Sequence, residues 1–138
     1  MEPDWSRNKS RLGVAYFDLN GLKAINDSQG HSVGDQFLCR AAEQLWNIFE
    51  NRTYRTGGDE FIVLEGAKDE ESGRVLAQKI RTELSKTQRA MQLPFDLSAS
   101  IGAVVAHPGE ENVLESYVKR AEMLMYEEKA EKKVSRDS

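Results

Sequence analysis

Apolar and polar residues alternate between two rhythms along this chain, and the changes of rhythm divide it into elements. Leu12–Phe17 is a short, nearly unbroken apolar run that predicts a buried strand. From Val33 the apolar positions recur at Phe37, Leu38, Ala41, Ala42, Leu45, Ile48 and Phe49, which is helical spacing. Arg52–Thr56 and Phe61–Glu65 flank a Gly57-Gly58 turn and read as a hairpin. Leu76, Ile80 and Leu84 mark one stripe of a heavily charged helix. Leu97–Ala106 reads as a further strand, and Val113–Lys133 as a C-terminal helix with Leu114, Tyr117, Val118, Ala121, Leu124 and Met125 inward. The order β-α-β-β-α-β-α is an α+β arrangement, the split βαβ plan of ferredoxin-like domains with an added C-terminal helix.

The 138 residues suffice for one core, and 39% hydrophobic content is ordinary for a globular domain. Connections such as Glu65–Asp69 and His107–Asn112 are short and polar, so residues 1–138 are expected to form a single domain with a polar lead at 1–11. A net charge of −4 argues against a general nucleic-acid binder but not against a small anionic ligand. Cys39 is the only cysteine; it falls within the apolar helical pattern and is expected to be a buried thiol. No apolar run reaches membrane-spanning length, and Met1–Arg11 is too polar for a signal peptide, which predicts a cytoplasmic domain.

The chemistry concentrates where acids meet glycines. Gly57-Gly58-Asp59-Glu60-Phe61 places two carboxylates on a hairpin tip, and Asp18 falls at the end of the first strand. In the split plan those strands can be neighbours, so the carboxylates converge. Oxygen ligands without nearby His or Cys favour Mg²⁺ or Mn²⁺ over zinc. Turn statistics alone favour Asp18 as a strand-end turn residue, and Asp59 in register with it turns the reading to metal. Asn26-Asp27-Ser28 can simply end a helix, and Ser32 with Asp35 has capping-box spacing. Lys129 and Lys133 share a helix face and serve equally as a solvated basic end. Turn amides around Asn20-Gly21-Leu22 open a helix and can attract an anion.

Those segments, with Phe17-Asp18-Leu19-Asn20-Gly21-Leu22-Lys23-Ala24-Ile25-Asn26-Asp27, Gly30-His31-Ser32-Val33-Gly34-Asp35, Ser98-Ala99-Ser100-Ile101-Gly102 and Arg120-Ala121-Glu122 to Tyr126-Glu127-Glu128-Lys129, resemble the GGDEF family of diguanylate cyclases from about Leu12 to Lys133. The resemblance implies a palm-type nucleotidyl cyclase fold. It also implies condensation of two GTP into cyclic di-GMP and two pyrophosphates, by 3′-hydroxyl attack on the α-phosphate across a transient homodimer. It assigns Asp18, the Leu19 carbonyl, Asp59 and Glu60 to two Mg²⁺ or Mn²⁺ ions, with Asp59 or Glu60 as proton acceptor. It assigns Asn26 and Asp35 to guanine, an acid at Asp35 favouring GTP over mixed GTP/ATP use. Gly57, Gly58, Lys129 and Lys133 complete the substrate set. Lys23 matches a family lysine that solvation explains equally, and His31 is expected to stabilise the loop before the helix.

Three departures qualify that expectation. The usual Gly-basic-Asn ending is Lys132-Lys133-Val134. The Arg-x-x-Asp product-inhibition positions are Ile48 and Asn51, which cannot supply the charges. The Asp-x-Leu-Thr turn that normally precedes the first strand is not in Met1–Arg11, so Arg55 is expected to lack its partner. The alternative function is therefore a catalytically weak or inactive GTP-binding regulatory module. A sensory or dimerisation domain is expected outside this chain, because no heptad seam is visible to bring two copies together.

Overall fold

In the computed structural model, residues 11–30, 33–50, 52–93, 98–107 and 114–137 are described. The apolar run beginning at Leu12 forms β1 (Arg11–Asn20), whose residues 12–19 are all buried. It is covered on both faces, which is why its sequence is apolar without alternation. α1 (Leu22–Gln29) and α2 (Val33–Ile48) follow, then β2 (Thr53–Arg55), β3 (Glu60–Ala67), α3 (Glu71–Ala90), β4 (Ser98–Ala106) and α4 (Leu114–Asp137). The sheet order is β2-β3-β1-β4 with antiparallel neighbours, so β3 lies between β1 and β2 as the split plan requires.

Two apolar clusters sandwich the sheet. Phe17, Leu19, Phe61 and Val63 meet Phe37 and Leu45 of α2 and Leu76, Ile80 and Leu84 of α3 on one face. The Phe17 and Phe61 rings stack across β1 and β3 with centroids 5.3 Å apart. On the other face Leu12, Val14, Tyr16 and Leu64 meet Tyr117, Ala121 and Met125 of α4. Alternation along β1 therefore sends Phe17 to the α2/α3 side and Tyr16 and Asp18 to the α4 side.

Four details differ from the sequence expectation. Between β1 and β2 there are two helices, not one, because Gly30 takes φ 109° and its N–H bonds to Asn26 O, ending α1. Cys39 is exposed; the stripe Phe37, Leu38, Ala41 and Leu45 faces the core, and Cys39 falls on the far side of the helix. Leu124 flanks the inward stripe of α4 and is 40% exposed. Gly57 and Gly58 do not adopt the left-handed backbone expected of a glycine turn; Gly21 (φ 87°) and Gly30 do, among the described residues. The leads Met1–Ser10, Leu97 and Val113 lie outside the described residues.

β4 is an edge strand, and side chains engage two of its backbone groups, Ala99 O and Ile101 N. Arg81 Nη1 donates to Ala99 O at 2.9 Å and Lys132 Nζ at 2.5 Å, while Ile101 N donates to Glu128 Oε1 at 3.2 Å. Arg81 Nη2 also bonds Glu128 Oε1 at 2.6 Å. Burial pushes the Glu128 carboxyl up, but the Arg81 and Ile101 bonds outweigh it and hold the group below its ordinary value. Its contribution to stability is thus present above the unfolded carboxyl value and lost as pH falls through the folded one. Glu128→Gln should melt lower than the parent near neutrality, by about 1–2 kcal/mol. Thermal melts across pH 3–7 should show the two proteins converging in acid; a constant gap would refute this account of Glu128.

Candidate active site

The site is built where the C-terminal end of β1 meets the β2–β3 hairpin. Thr56 N bonds Glu60 O at 2.9 Å, closing a short loop of Gly57, Gly58 and Asp59. Arg55 clasps that loop from within: its Nε donates to Gly58 O at 2.9 Å and Gly57 O at 3.3 Å, and its Nη2 also bonds Gly58 O. The aspartate partner that the resemblance implies for Arg55 is not in the sequence, and the hairpin's own carbonyls engage its guanidinium instead. Leu19 N donates to Asp59 O at 3.1 Å, so the loop is also tied to β1.

Register places Asp18 directly opposite Glu60 on β3 and Ser100 on β4. Like charges at facing positions of an antiparallel pair repel, and Asp59 adds a third acid beside them. One cation answers: Lys129 Nζ, from α4, lies 2.5 Å from Asp18 Oδ2. Asp18 is 2% exposed and its Oδ1 is buried with no hydrogen-bond partner. Burial, followed by the nearby Asp59 carboxylate, pushes the Asp18 carboxyl up against the pull of Lys129. The bond to Asp18 in turn raises the Lys129 ammonium.

An orphaned buried carboxylate oxygen beside a second acid fits a hard divalent cation. Among the described residues no three His, Cys, Asp or Glu side chains converge into a ready-made cage. Glu60 is held by two phenols: Tyr16 Oη donates to its Oε1 at 2.9 Å and Tyr126 Oη to its Oε2 at 3.4 Å. Burial, and then Glu60 itself, push the Tyr16 phenol up to about 12, so it remains a proton donor at physiological pH.

Asn26 of α1 reaches the first turn of α2, which carries Asp35. Gly34 N donates to Asn26 Oδ1 at 2.7 Å, which commits the amide oxygen and leaves the amide N–H₂ as a donor. Asp35, the next residue, is exposed in the first turn of α2. α1 begins at Gly21, with no side chain capping it. The Lys23 and Lys133 side chains, His31 and Ser32 lie outside the described residues.

The sequence model of the family described as "Diguanylate cyclase, GGDEF domain" matches residues 1–135. The chain belongs to this family. It is 34% identical over 125 residues to the bifunctional diguanylate cyclase/cyclic di-GMP phosphodiesterase MucR of Pseudomonas aeruginosa, covering 89% of this chain and 18% of that protein. With the diguanylate cyclase VdcA of Vibrio cholerae the identity is 31%, covering 86% of this chain and 36% of that one. The active GGEEF domain of a Vibrio cholerae diguanylate cyclase superposes with a TM-score of 0.67 at 26% identity, covering 89% and 79% of the two chains. The chain thus spans about a fifth to a third of these curated relatives, and the expected palm-type fold holds.

Within this GGDEF domain the structure brings Asp59 of the hairpin loop beside Asp18 of β1, and joins Lys129 to Asp18 from the other end of the chain. Sequence reasoning missed Tyr16, Tyr126 and the clasp of Arg55. For Tyr16 a signal existed: a phenol two residues before Asp18, hence on the same face of the strand, within an otherwise apolar run. Among the described residues no helix is long and apolar enough to cross a membrane.

Proposed function

We propose that this GGDEF domain is a diguanylate cyclase half-site, and that the observation carrying this reading is the Asp18 carboxylate, buried with one oxygen unpartnered beside Asp59. Asp18, Asp59 and the Leu19 carbonyl hold the divalent ions, two Mg²⁺ or Mn²⁺, with Glu60 at the rim. Such ions, when bound, acidify the attacking hydroxyl and neutralise the departing pyrophosphate. Asn26, as a donor, and Asp35, as an acceptor, suit the O6 and N1/N2 edge of guanine. The open Gly57-Gly58 turn lets the triphosphate approach closely, near the first amides of α1. Lys129 and Lys133 are assigned to the terminal phosphates.

The 3′-hydroxyl of one GTP forms a bond to the α-phosphorus of the other, the α–β bridge breaks, and the proton passes to Asp59 or Glu60. Repeating the step closes the ring and releases the second pyrophosphate. One domain holds half of this reaction, so two copies must meet, with proximity supplied by a domain outside the chain in the cytoplasm. Concentrated protein with GTP and Mg²⁺ should yield cyclic di-GMP, identified by chromatography and mass, at a rate rising faster than linearly with protein. Asp59→Ala should yield none, and product should not inhibit through the Ile48 and Asn51 positions, since Ile48 packs against the core instead of offering a charge. GTP binding without product would favour the regulatory alternative.

Lys129 gives this reading a second check. Its ammonium already balances the charge of the same carboxylate through Oδ2, beside the unpartnered Oδ1, so lysine and metal compete for one negative charge. Lys129→Met should bind Mn²⁺ alone more tightly than the parent in titration calorimetry, yet bind GTP more weakly. A loss of both affinities would show that Lys129 does not compete with the cation.

A further inference from the structure

Glu60 is held in a way that its proposed place in the metal site does not require. Both of its carboxylate oxygens accept a phenol, from elements far apart in sequence: Tyr16 on β1 at 2.9 Å and Tyr126 on α4 at 3.4 Å. Thr56 Oγ1 lies 3.2 Å from the Tyr16 oxygen. Since the phenol's one proton goes to Glu60, the threonine hydroxyl donates to the phenol, extending the line to the hairpin. Tyr16 is 6% exposed and packed in the α4-side cluster, so its ring cannot swing. Tyr126 is half-exposed and reaches across from the helix that also carries Lys129.

We propose that Tyr16 and Tyr126 are positioning residues that fix the Glu60 carboxylate at the rim of the metal site and thereby set the affinity for the divalent cation arriving with GTP. The inference rests on the cyclase reading above. A carboxylate oxygen has two lone-pair sites; each phenol takes one and leaves the other facing outward. A free glutamate opposite Asp18 would instead turn to water, away from its like-charged neighbour, and would have to be ordered again when a cation bound. The choice of phenols matters. Lys129 steadies Asp18 but competes with a cation for it, whereas a neutral donor steadies Glu60 without adding positive charge.

The test is a double-mutant cycle read by Mn²⁺ titration of the GTP complex, using calorimetry and the paramagnetic signal of free Mn²⁺. Tyr16→Phe and Tyr126→Phe keep the rings and remove only the hydroxyls. Together they should weaken Mn²⁺ binding about 10–100-fold, the range for outer-shell partners of metal ligands. In a Glu60→Gln background the same two changes should produce no further loss, because the group they orient has gone. An equal loss in both backgrounds, or unchanged Mn²⁺ affinity in the tyrosine variants, would overturn the proposal. If the parent protein itself bound no Mn²⁺ with GTP, the nucleotide reading would fall and take this one with it. A melting-temperature drop with unchanged Mn²⁺ affinity would assign the tyrosines to packing alone and also overturn it.

Discussion

Asp18→Asn should abolish cyclic di-GMP formation, by about a thousandfold or more, while leaving the fold at least as stable in the absence of added metal. The two halves of this expectation come from the same burial. Asp18 is enclosed, faces Glu60 across the strand pair and lies beside Asp59, with one oxygen unpartnered. Burial first, then Asp59, pushes its carboxyl up, so the folded state holds its proton more readily than the unfolded chain does. The stability attached to that proton is fully present below the unfolded value and is lost as pH rises through the folded one. At neutral pH an ionised Asp18 is therefore a cost, and a neutral amide of nearly the same shape removes it. Lys129 loses its partner, but its side chain is 49% exposed and can turn to water. Melting curves in a chelator and in Mg²⁺ with GTP, taken between pH 4 and 8, distinguish the cases. The parent should gain stability with metal and nucleotide far more than the variant. A variant that melts well below the parent in chelator would show that Asp18 is structural and would remove the main support for the metal reading.

The second large effect lies away from the chemistry. A methyl group at Gly102 would sit 2.0 Å from Ala121 O and 2.6 Å from Met125 N, both backbone atoms of α4. Neither can move aside as a side chain would, so the helix must shift or lift from the sheet. Gly102→Ala should cost about 3–5 kcal/mol, at the upper end for a single substitution. A domain of this size should then melt roughly 10 °C lower or more. Because α4 also carries Tyr126 and Lys129, metal affinity should fall even below the melting range. Gly58→Ala is the comparison: no atom lies within 4 Å of its added carbon, and the melting temperature should hardly change. Equal melting of the two variants would contradict the close seating of α4 on β4.

How far the sequence speaks for itself depends on whether a feature is local or assembled. The strand beginning at Leu12 and the helices after Val33, Glu71 and Leu114 are local, written as runs of one period, and they are where the spacing puts them. The hairpin around Gly57-Gly58 is equally legible, although its glycines give open space instead of an unusual backbone. α1 showed only at its ends, as the opening at Asn20-Gly21-Leu22 and the close near Asn26, and not as an element in the order, because its inward Leu22 and Ile25 make too short a stripe. Cys39 was misplaced because a pattern dense in apolar residues does not declare its edges. Pairings of groups far apart in the chain, such as Lys129 with Asp18 or Tyr126 with Glu60, follow only from strand order and helix seating. Arg55 illustrates the limit from the other side: its partners are main-chain carbonyls, which leave no trace in residue types.

Both margins of the sheet resist extension. β2 is only three residues long, and on β4 Arg81, Glu128 and Lys132 engage Ala99 O and Ile101 N. Strand addition is the usual way for two sheets to stick together, and it tends to be long-lived. A catalyst whose proposed reaction joins two substrates held by two copies has the opposite need. Its copies must meet, react and part at every turnover. A β2 of three residues and a β4 shielded at Ala99 and Ile101 give such a catalyst little edge on which its copies could lock together.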